Sequence, residues 1–508
     1  MKLPVRVTQT HQSLKRRCVD GASVLLLVTI FLGIASIQDR KLPLRNPDRY
    51  YHFAISKMTL EQGVLGSLEQ LPDLGWDRHF PEKEFLFHQV TALGYRFGGE
   101  AGVVWSCRIV VAIGLILLFL TIRQYVSPLT SISILLGLLL LNAHLAFRFA
   151  IIRPHTLAVT MFIACVYGVL QRKWILTLLA GAGFGLAYHA FYVPAAFFLV
   201  LAAFEFLSPA DEAPLLQNTT LRCCAAGLLG IFAALILSPY FPHNIEMAWN
   251  HLTYALANEQ LSGVHVGAEL LPLSADYYLK NFGAHLAIAL VSVGILIREM
   301  RKSTPGQSAL ATVSTFSLGF IALAIQSPRT ADFGAPLTCI ALALTWQFLP
   351  KLKAIRVGIL IALLIAVLPS LLPRLLREPD RGVEKISLEI LHALEVLPDR
   401  KTNRKIFNCD WVLGSFILYA RPGYQFVDLL DPRFLLHANP KKFEEKRLLK
   451  VGLIKDPFSL IYEDFKADYV LCSDPNINKS LSKDPRFRKI YPTSPRQSSV
   501  NLFTLESP

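Results

Sequence analysis

The sequence predicts an α-helical membrane protein that crosses the bilayer many times and ends in a small α/β domain. The first observation is composition: 53% of the 508 residues are hydrophobic, 17% are charged, and the mean hydropathy is +0.42. Soluble domains carry about 25% charged and about 45–50% apolar residues, so an ordinary soluble enzyme is excluded. The other two observations are apolar runs of membrane-spanning length and basic residues in the turns between them.

Eleven apolar runs have the length of a membrane span, because a helix of about 17–25 residues crosses a hydrocarbon core of about 30 Å. The connections between the runs in residues 155–207 are short, so a single helix kinked at Pro194 is an alternative to two helices joined by a turn. The predicted spans lie near residues 21–37, 101–122, 128–147, 155–171, 174–190, 192–207, 223–240, 282–298, 308–326, 333–349 and 356–373.

Basic residues indicate the orientation, because cytoplasmic loops are enriched in lysine and arginine. Lys15, Arg16 and Arg17 precede the first run, which we interpret as an anchor rather than a cleaved signal peptide. If successive spans cross the membrane in opposite directions from a cytoplasmic N-terminus, every later cytoplasmic turn also carries lysine or arginine. We therefore attribute the net charge of +14 to the basic turns that orient the chain in a cell inner membrane. No nucleic-acid partner is expected.

This topology divides the chain into a cytoplasmic tail (1–20), a transmembrane domain (21–377) and a C-terminal extracytoplasmic domain (378–508). Within the transmembrane domain, we expect residues 38–100 and 241–281 to form outer loops. Strand-like and helix-like runs alternate after residue 378, which predicts an α/β domain. The strand-like runs are 405–411, 467–472 and 499–505, and the helix-like run is 383–397.

The eight cysteines include no CxxC pair, so no structural zinc site is indicated. Only Cys409 and Cys472 share a polar region. In an oxidising compartment these two side chains are able to pair, and the alternative is two separate buried thiols.

The first outer loop contains two pairs of an acid and a histidine. Asp48 and His52 are separated by four residues at the start of a helix-like stretch, which places them about 6 Å apart on one helix face. Such a carboxylate can act as a base or a metal ligand with the imidazole as its partner. The alternative is that Asp48 only stabilises the first helical turn.

Glu84 and His88 repeat this spacing two residues after Glu82. The two pairs together are able to converge on a divalent cation or on a phosphate-bearing substrate. The alternative is ordinary solvation at the membrane surface.

Two arginines are predicted at the same outer face. Arg153 is followed by Pro154 and His155 at the start of the fourth span, and Arg329 precedes the tenth. Arginine forks suit phosphate oxygens, so these side chains are candidates to hold an anionic lipid head group. The alternative is that they extend from span ends to the interface.

Four features together resemble the GT-C superfamily of membrane glycosyltransferases, which includes the oligosaccharyltransferase catalytic subunit, protein O-mannosyltransferases and the lipid A aminoarabinose transferase. Residues 48–52 (DRYYH) are similar to the acidic motif of the first outer loop, and 81–88 (PEKEFLFH) resemble its later acidic, aromatic segment. Residues 153–155 resemble an arginine, proline and acid run, with histidine in place of the acid. The similar tail segments are 409–411, 414–418, 424–431, 467–471 and 484–487.

The resemblance implies a GT-C-like fold and an inverting transfer of a hexosyl or pentosyl group. The donor would be a polyprenyl-phosphate-linked sugar, and the acceptor a lipid, glycan or protein at the outer face. Asp48, with His52, would act as the general base. Positive charge for the phosphate leaving group would come from Arg153, Arg329 or a divalent cation such as Mg²⁺ or Mn²⁺. The chain has no WWDYG-like motif, which argues against glycosylation of protein sequons.

Other classes remain open at this stage: a transporter or flippase for a lipid-linked precursor, a polymerase or ligase of surface polysaccharide, and a non-catalytic scaffold. A transporter is expected to hold ionisable residues near the membrane midplane and often to have duplicated halves. Here the charges gather at the predicted outer face and the halves do not match, which favours chemistry at the surface.

Overall fold

A computed structural model of the chain describes residues 5–41, 46–207, 218–257, 267, 271–299, 307–348, 358, 381–399, 402–492 and 498–506. The chain divides into two compact units. The first contains Met1–Asp39, Cys107–Leu237 and Glu269–Arg377, and the second contains Arg40–Ser106, Ser238–Ala268 and Glu378–Pro508. The second unit therefore combines segments from three distant parts of the sequence.

Helices account for most of the described residues. Up to residue 348 they are α1 (Val5–Lys41), α2 (Asp48–Gln62), α3 (Phe85–Ile122), α4 (Pro128–Leu135), α5 (Ala143–Ala150), α6 (His155–Leu170), α7 (Trp174–Ala187), α8 (Tyr192–Leu207), α9 (Thr219–Leu237), α10 (His243–Ala257), α11 (Ala275–Glu299), α12 (Gln307–Leu323) and α13 (Ala331–Thr345). In the tail they are α14 (Arg381–Glu395), α15 (Trp411–Ala420), α16 (Pro432–Ala438), α17 (Pro440–Lys450), α18 (Pro457–Ser459) and α19 (Pro475–Leu481).

Four helices among the described residues are long and apolar enough to cross a membrane: Arg17–Gln38, Phe85–Ile122, Thr219–Leu237 and Ala275–Arg298. The predicted span 128–147 is instead divided between Pro128–Leu140 and Ala143–Ala150, which meet at 82°; counted as one, this pair is a fifth. The predicted spans 155–171, 174–190, 192–207 and 308–326 correspond to shorter apolar helices, and 356–373 lies outside the described residues except for residue 358. The presence of eleven membrane spans therefore stays a prediction.

Helix α3 is broken where the predicted span 101–122 begins. Gly99 has φ of +56°, a value that favours glycine, and Gly98 is also non-helical. A Cβ atom added to Gly102 would lie 1.9 Å from the carbonyl oxygen of Gly94. Residues eight apart in a continuous helix are separated by about 12 Å, so the chain turns back on itself here.

Small residues allow close helix packing in the first unit. Helices α7 and α9 approach so closely that a Cβ added to Gly230 would lie 2.2 Å from the Leu178 carbonyl oxygen. Burial of apolar surface does not drive association of helices surrounded by lipid, so backbone contact between small residues replaces it. The absence of a side chain at Gly230 thus explains how α7 and α9 pair tightly.

The tail contains a five-stranded mixed sheet in the order β2-β1-β3-β5-β4. β1 pairs with β2 and β3 in parallel, whereas β5 pairs with β3 and β4 in antiparallel fashion. Strands β1, β3 and β5 coincide with predicted runs, although the first ends at Asn408 and Trp411 begins a helix. The strands are β1 (Lys405–Asn408), β2 (Gln425–Phe426), β3 (Tyr469–Cys472), β4 (Phe487–Tyr491) and β5 (Asn501–Leu505).

One hydrophobic core joins the sheet to the segment 48–80. Tyr50 on α2 lies against Phe416 on α15, with ring centroids 4.6 Å apart. The backbone N–H of Phe426 on edge strand β2 donates to the Gln70 carbonyl at 2.8 Å. The segment therefore contributes both to the core and to the edge of the sheet.

Cys409 and Cys472 form a disulfide, with Cα atoms 5.1 Å apart and a sequence separation of 63. Cys472 ends β3, and Cys409 follows β1, its parallel neighbour. Of the two alternatives left open by the sequence, the structure has the paired form.

Replacing both disulfide cysteines (Cys409→Ser with Cys472→Ser) is expected to lower the free energy of unfolding by about 2–5 kcal/mol, because the unfolded chain regains the freedom of a long loop. Limited proteolysis of the full chain in membranes over a temperature series measures the change. Cys18→Ser, which replaces an exposed free cysteine, is the control. An unchanged cleavage temperature in the double variant would contradict the prediction.

Candidate functional site: a buried acid–histidine cluster

Four buried side chains of the second unit form what we call the acid–histidine cluster: His52, Glu82, Glu84 and His88. Nδ1 of His52 is 2.9 Å from Nε2 of His88, and Nδ1 of His88 is 2.9 Å from Oε2 of Glu82. The other oxygen of Glu82 accepts the backbone N–H of Glu84 at 2.9 Å. Of the two predicted acid and histidine pairs, the structure therefore brings together Glu84, His88 and His52. Asp48 is not a member of the cluster.

Asp48 lies one helical turn before His52. It is the first residue of α2, which follows Pro47 in helical conformation and ends at Gly63, where φ is +77°. Asp48 is half-buried, and its charge helps to raise the pKa of Glu84. The carboxylate is therefore close enough to the cluster to act on it electrostatically, while part of it remains accessible.

Two hydroxyls hold the helices that carry the histidines. Ser56 lies one turn after His52 on α2, and Thr91 lies three residues after His88 on α3. Their side-chain oxygens are 2.8 Å apart, and both residues are buried. This contact fixes α2 against the start of α3, so the two imidazoles face each other.

The cluster is electrostatically crowded. Burial raises the pKa of Glu84, opposed by Lys83 and His88, and the carboxylate of Glu82 raises it further. Burial likewise raises the pKa of Tyr51 well above its usual value, with Glu82 and Glu84 adding to the effect. The neighbouring carboxylate of Glu82 and the burial of the site therefore both disfavour the charged form of Glu84.

Three members of the cluster suit a metal ion. His52, Glu84 and His88 each place one ligand atom within 4.8 Å of the others. Glu82 holds Nδ1 of His88, which leaves Nε2 directed into the cluster, an arrangement common around metal-binding histidines. Two imidazoles and one carboxylate favour Zn²⁺ or Mn²⁺ over Mg²⁺, which prefers oxygen ligands.

Lys83 is a member of the site that the sequence reasoning missed. Its Nζ atom lies 3.9 Å from Oε1 of Glu84 and 3.2 Å from Nε2 of His251. Residue 251 is 168 positions further along the chain, so spacing gave no signal for this contact. The central place of Lys83 in an acidic run was the only available indication.

The remaining predicted residues, Arg153, His155 and Arg329, belong to the first unit, where a buried ion pair organises their surroundings. Nη2 of Arg148 is 2.6 Å from Oδ2 of Asp332, and Nε of Arg148 is 3.1 Å from both carboxylate oxygens. His155 donates from Nε2 to the Arg148 carbonyl at 2.9 Å. His155 therefore supports the ion pair.

Arg148 lies in the last turn of α5 and is buried, because its charge is matched by Asp332 at the start of α13. The pair connects two segments 184 residues apart. Arg153 follows Arg148 by five residues and Arg329 precedes Asp332 by three, and both of these arginines are half-buried.

No protein-family model matches the sequence, and no curated protein matches it. Solved structures do match. Archaeal oligosaccharyltransferase AglB from Archaeoglobus fulgidus, in complex with an inhibitory peptide and a dolichol-phosphate, has a TM-score of 0.56 at 10% identity, covering 88% of this chain and 69% of that chain. The oligosaccharyltransferase of the same organism in complex with Zn and sulfate has a TM-score of 0.51 at 10% identity, covering 87% and 67%.

ArnT from Cupriavidus metallidurans, bound to undecaprenyl phosphate, matches over nearly the full length of both chains. The TM-score is 0.53 at 13% identity, with 94% of this chain and 97% of that chain covered. These neighbours are GT-C glycosyltransferases, and at such low identity the likeness concerns the fold. The chain therefore has the GT-C fold that its sequence motifs resemble.

We expect untagged, chelator-treated protein to bind one Zn²⁺ ion per chain in a calorimetric titration. His88→Ala removes a ligand and is expected to weaken binding at least 10-fold, and Glu82→Gln, which loosens His88, by about 10-fold. His392→Ala, which replaces an exposed histidine of α14, should bind Zn²⁺ as the unaltered chain does. Equal affinity in all four proteins would exclude the cluster as a metal site.

Proposed function

We propose that the protein is a membrane glycosyltransferase that transfers a sugar from a polyprenyl-phosphate donor to an acceptor lipid, glycan or protein at the outer face of the inner membrane. The observation that carries the proposal is the connected acid–histidine cluster, found within a GT-C fold at the loop where the sequence resembles that superfamily. The comparison structures with dolichol-phosphate and undecaprenyl phosphate support a lipid-phosphate donor.

Asp48 is the proposed general base. In the transfer step its carboxylate takes the proton of the acceptor hydroxyl, whose oxygen forms a bond to C1 of the sugar. The bond from C1 to the phosphate oxygen breaks, and the lipid phosphate leaves with the electron pair. Attack from the face opposite the phosphate inverts the configuration at C1. The half-buried position of Asp48 beside the cluster supports this role, because a base must be both desolvated and reachable.

Arg153 and Arg329 are proposed to bind the donor phosphate. Guanidinium groups stabilise the negative charge that develops on a leaving phosphate. Because Arg148 is already engaged by Asp332, that ion pair is proposed to position the two segments that carry Arg153 and Arg329.

A divalent cation is proposed at His52, Glu84 and His88. When bound, it would supply positive charge for phosphate oxygens and for a deprotonating acceptor. The comparison structure with Zn and sulfate supports Zn²⁺ as a suitable probe. Glu82 would then keep His88 in the ligating orientation.

The outer location is supported by the disulfide between Cys409 and Cys472. Disulfides form and persist in oxidising compartments and are rare in the cytosol. The tail that contains this bond belongs to the same compact unit as the cluster. We therefore propose a cytoplasmic N-terminus and an extracytoplasmic C-terminal domain, as the basic turns predict.

Asp48→Asn is expected to reduce transfer from a radiolabelled polyprenyl-phosphate sugar by about 10²- to 10⁴-fold, the range for loss of a general base. Donor binding should persist, since the base does not contact the phosphate. Membranes from a deletion strain that express each variant provide the assay. Glu61→Gln, an exposed acid on the same helix, is the matched control; full activity of Asp48→Asn would refute the assignment.

Arg153→Ala and Arg329→Ala are each expected to lower kcat/KM for the lipid donor by about 10- to 100-fold, because a charge-assisted contact contributes about 1.5–3 kcal/mol. KM for the acceptor should not change. Steady-state kinetics in proteoliposomes separate the two constants. Lys173→Ala, an exposed cation before α7, controls for general loss of charge, and a donor constant unaffected by either arginine variant would count against phosphate binding.

A further inference from the structure

The second unit contains a cleft that is partly open to solvent and has a cavity volume of about 160 Å³. Its walls come from the segment 74–81, from α10 and from α16. None of the predicted site residues lines it. The cleft is therefore a separate feature that the proposed transfer chemistry does not account for.

Two aromatic rings form one side of the cleft. Trp76 and Phe434 both line it, with ring centroids 5.2 Å apart. The Lys83 ammonium lies 5.1 Å from the centre of the Phe434 ring. The positions of these rings are fixed by packing, since both residues are buried in the core of the unit.

Short polar groups form the exposed edge. Nδ1 of His243 is 3.4 Å from Oε2 of Glu246, and Nδ2 of Asn250 is 3.0 Å from Nε2 of His437. Nε2 of His437 is also 3.9 Å from Oε1 of Glu246. The edge thus offers donors and acceptors on two helices, and the side chains of His437 and Glu246 are 50% and 62% exposed.

Apart from four histidines, the cleft offers a phosphate little fixed positive charge. Its one arginine, Arg433, is held by both oxygens of Asp431, and the Glu246 carboxylate would repel an anion. The lining therefore suits a neutral ligand with one apolar face and several hydroxyl groups. A pyranose ring has this form: its C–H face packs on an aromatic ring, and its equatorial hydroxyls point outward to planar polar side chains.

We propose that this cleft binds a pyranose sugar. Two of its lining residues connect it to the acid–histidine cluster: Pro81 precedes Glu82, and His251 contacts Lys83. The bound sugar therefore lies next to the cluster. Its source is either the donor or a carbohydrate acceptor, and this identification, unlike the binding itself, rests on the proposed function.

Saturation-transfer NMR with the full chain in phosphatidylcholine nanodiscs tests the binding, because maltoside detergents would occupy the cleft. The probes are the methyl glycosides of glucose, galactose, mannose and N-acetylglucosamine, with mannitol as an acyclic polyol. At least one glycoside is expected to receive saturation on its ring protons, at least five-fold above mannitol.

Two variants locate the signal. Ala438→Trp fills the cleft from an exposed position at the end of α16, and Asn250→Ala removes a polar group at the edge. Each should reduce saturation transfer at least five-fold. Lys441→Ala, whose parent side chain is 80% exposed, should leave it unchanged. No glycoside signal above mannitol, or an equal signal in Ala438→Trp, overturns the proposal.

Asp48→Asn separates this proposal from the proposed function, because glycoside binding should persist in it even where transfer is lost. Where transfer is measured, a KM increase of at least five-fold for the donor in Ala438→Trp assigns the donor sugar to the cleft. An equal increase for the acceptor assigns a carbohydrate acceptor. Unchanged constants for both substrates overturn the site's role even if glycosides bind.

Discussion

The packing of α2 against the tail is the constraint on which the candidate site depends. Tyr50 contacts both Phe416 and Tyr419 of α15, with ring centroids 4.6 and 5.1 Å away. Burying one aromatic side chain contributes about 1.5–3 kcal/mol, and it also fixes the rotation of α2 about its axis. His52, two residues later, consequently faces His88. His52 is thus oriented by apolar contacts made elsewhere on the same helix.

A buried ionic contact reinforces this packing. Asp73, in the segment 48–80, forms ion pairs with Lys405 on β1 and with Lys442 on α17, the latter at 2.6 Å. Burial lowers the pKa of Lys405, and the Asp73 carboxylate opposes this. Removing one partner would leave a buried charge uncompensated, which is costlier than an absent pair. The contact therefore specifies one register of the segment on the sheet.

The sequence predicted local features well and distant partnerships poorly. The spacing of Asp48 with His52 and of Glu84 with His88 follows helix periodicity, and three strands follow from alternating apolar runs. Partners such as His251 for Lys83 depend on tertiary folding and leave no local pattern. β2 was missed because it has only two residues. The bend after Leu140 was missed because the apolar run continues across it, and hydropathy alone does not report a change of direction.

The charges within the cluster give the strongest physical reason to expect a cation there. Glu82 and Glu84 are buried, and the charge of Asp48, one turn before His52, also acts on Glu84. Lys83, 3.9 Å from Glu84, offsets part of this negative charge, and the two imidazoles contribute only where they are protonated. Burying like charges together is unfavourable unless positive charge offsets them. A divalent cation between His52, Glu84 and His88 would do so while leaving Asp48 outside the ligand set and able to accept a proton.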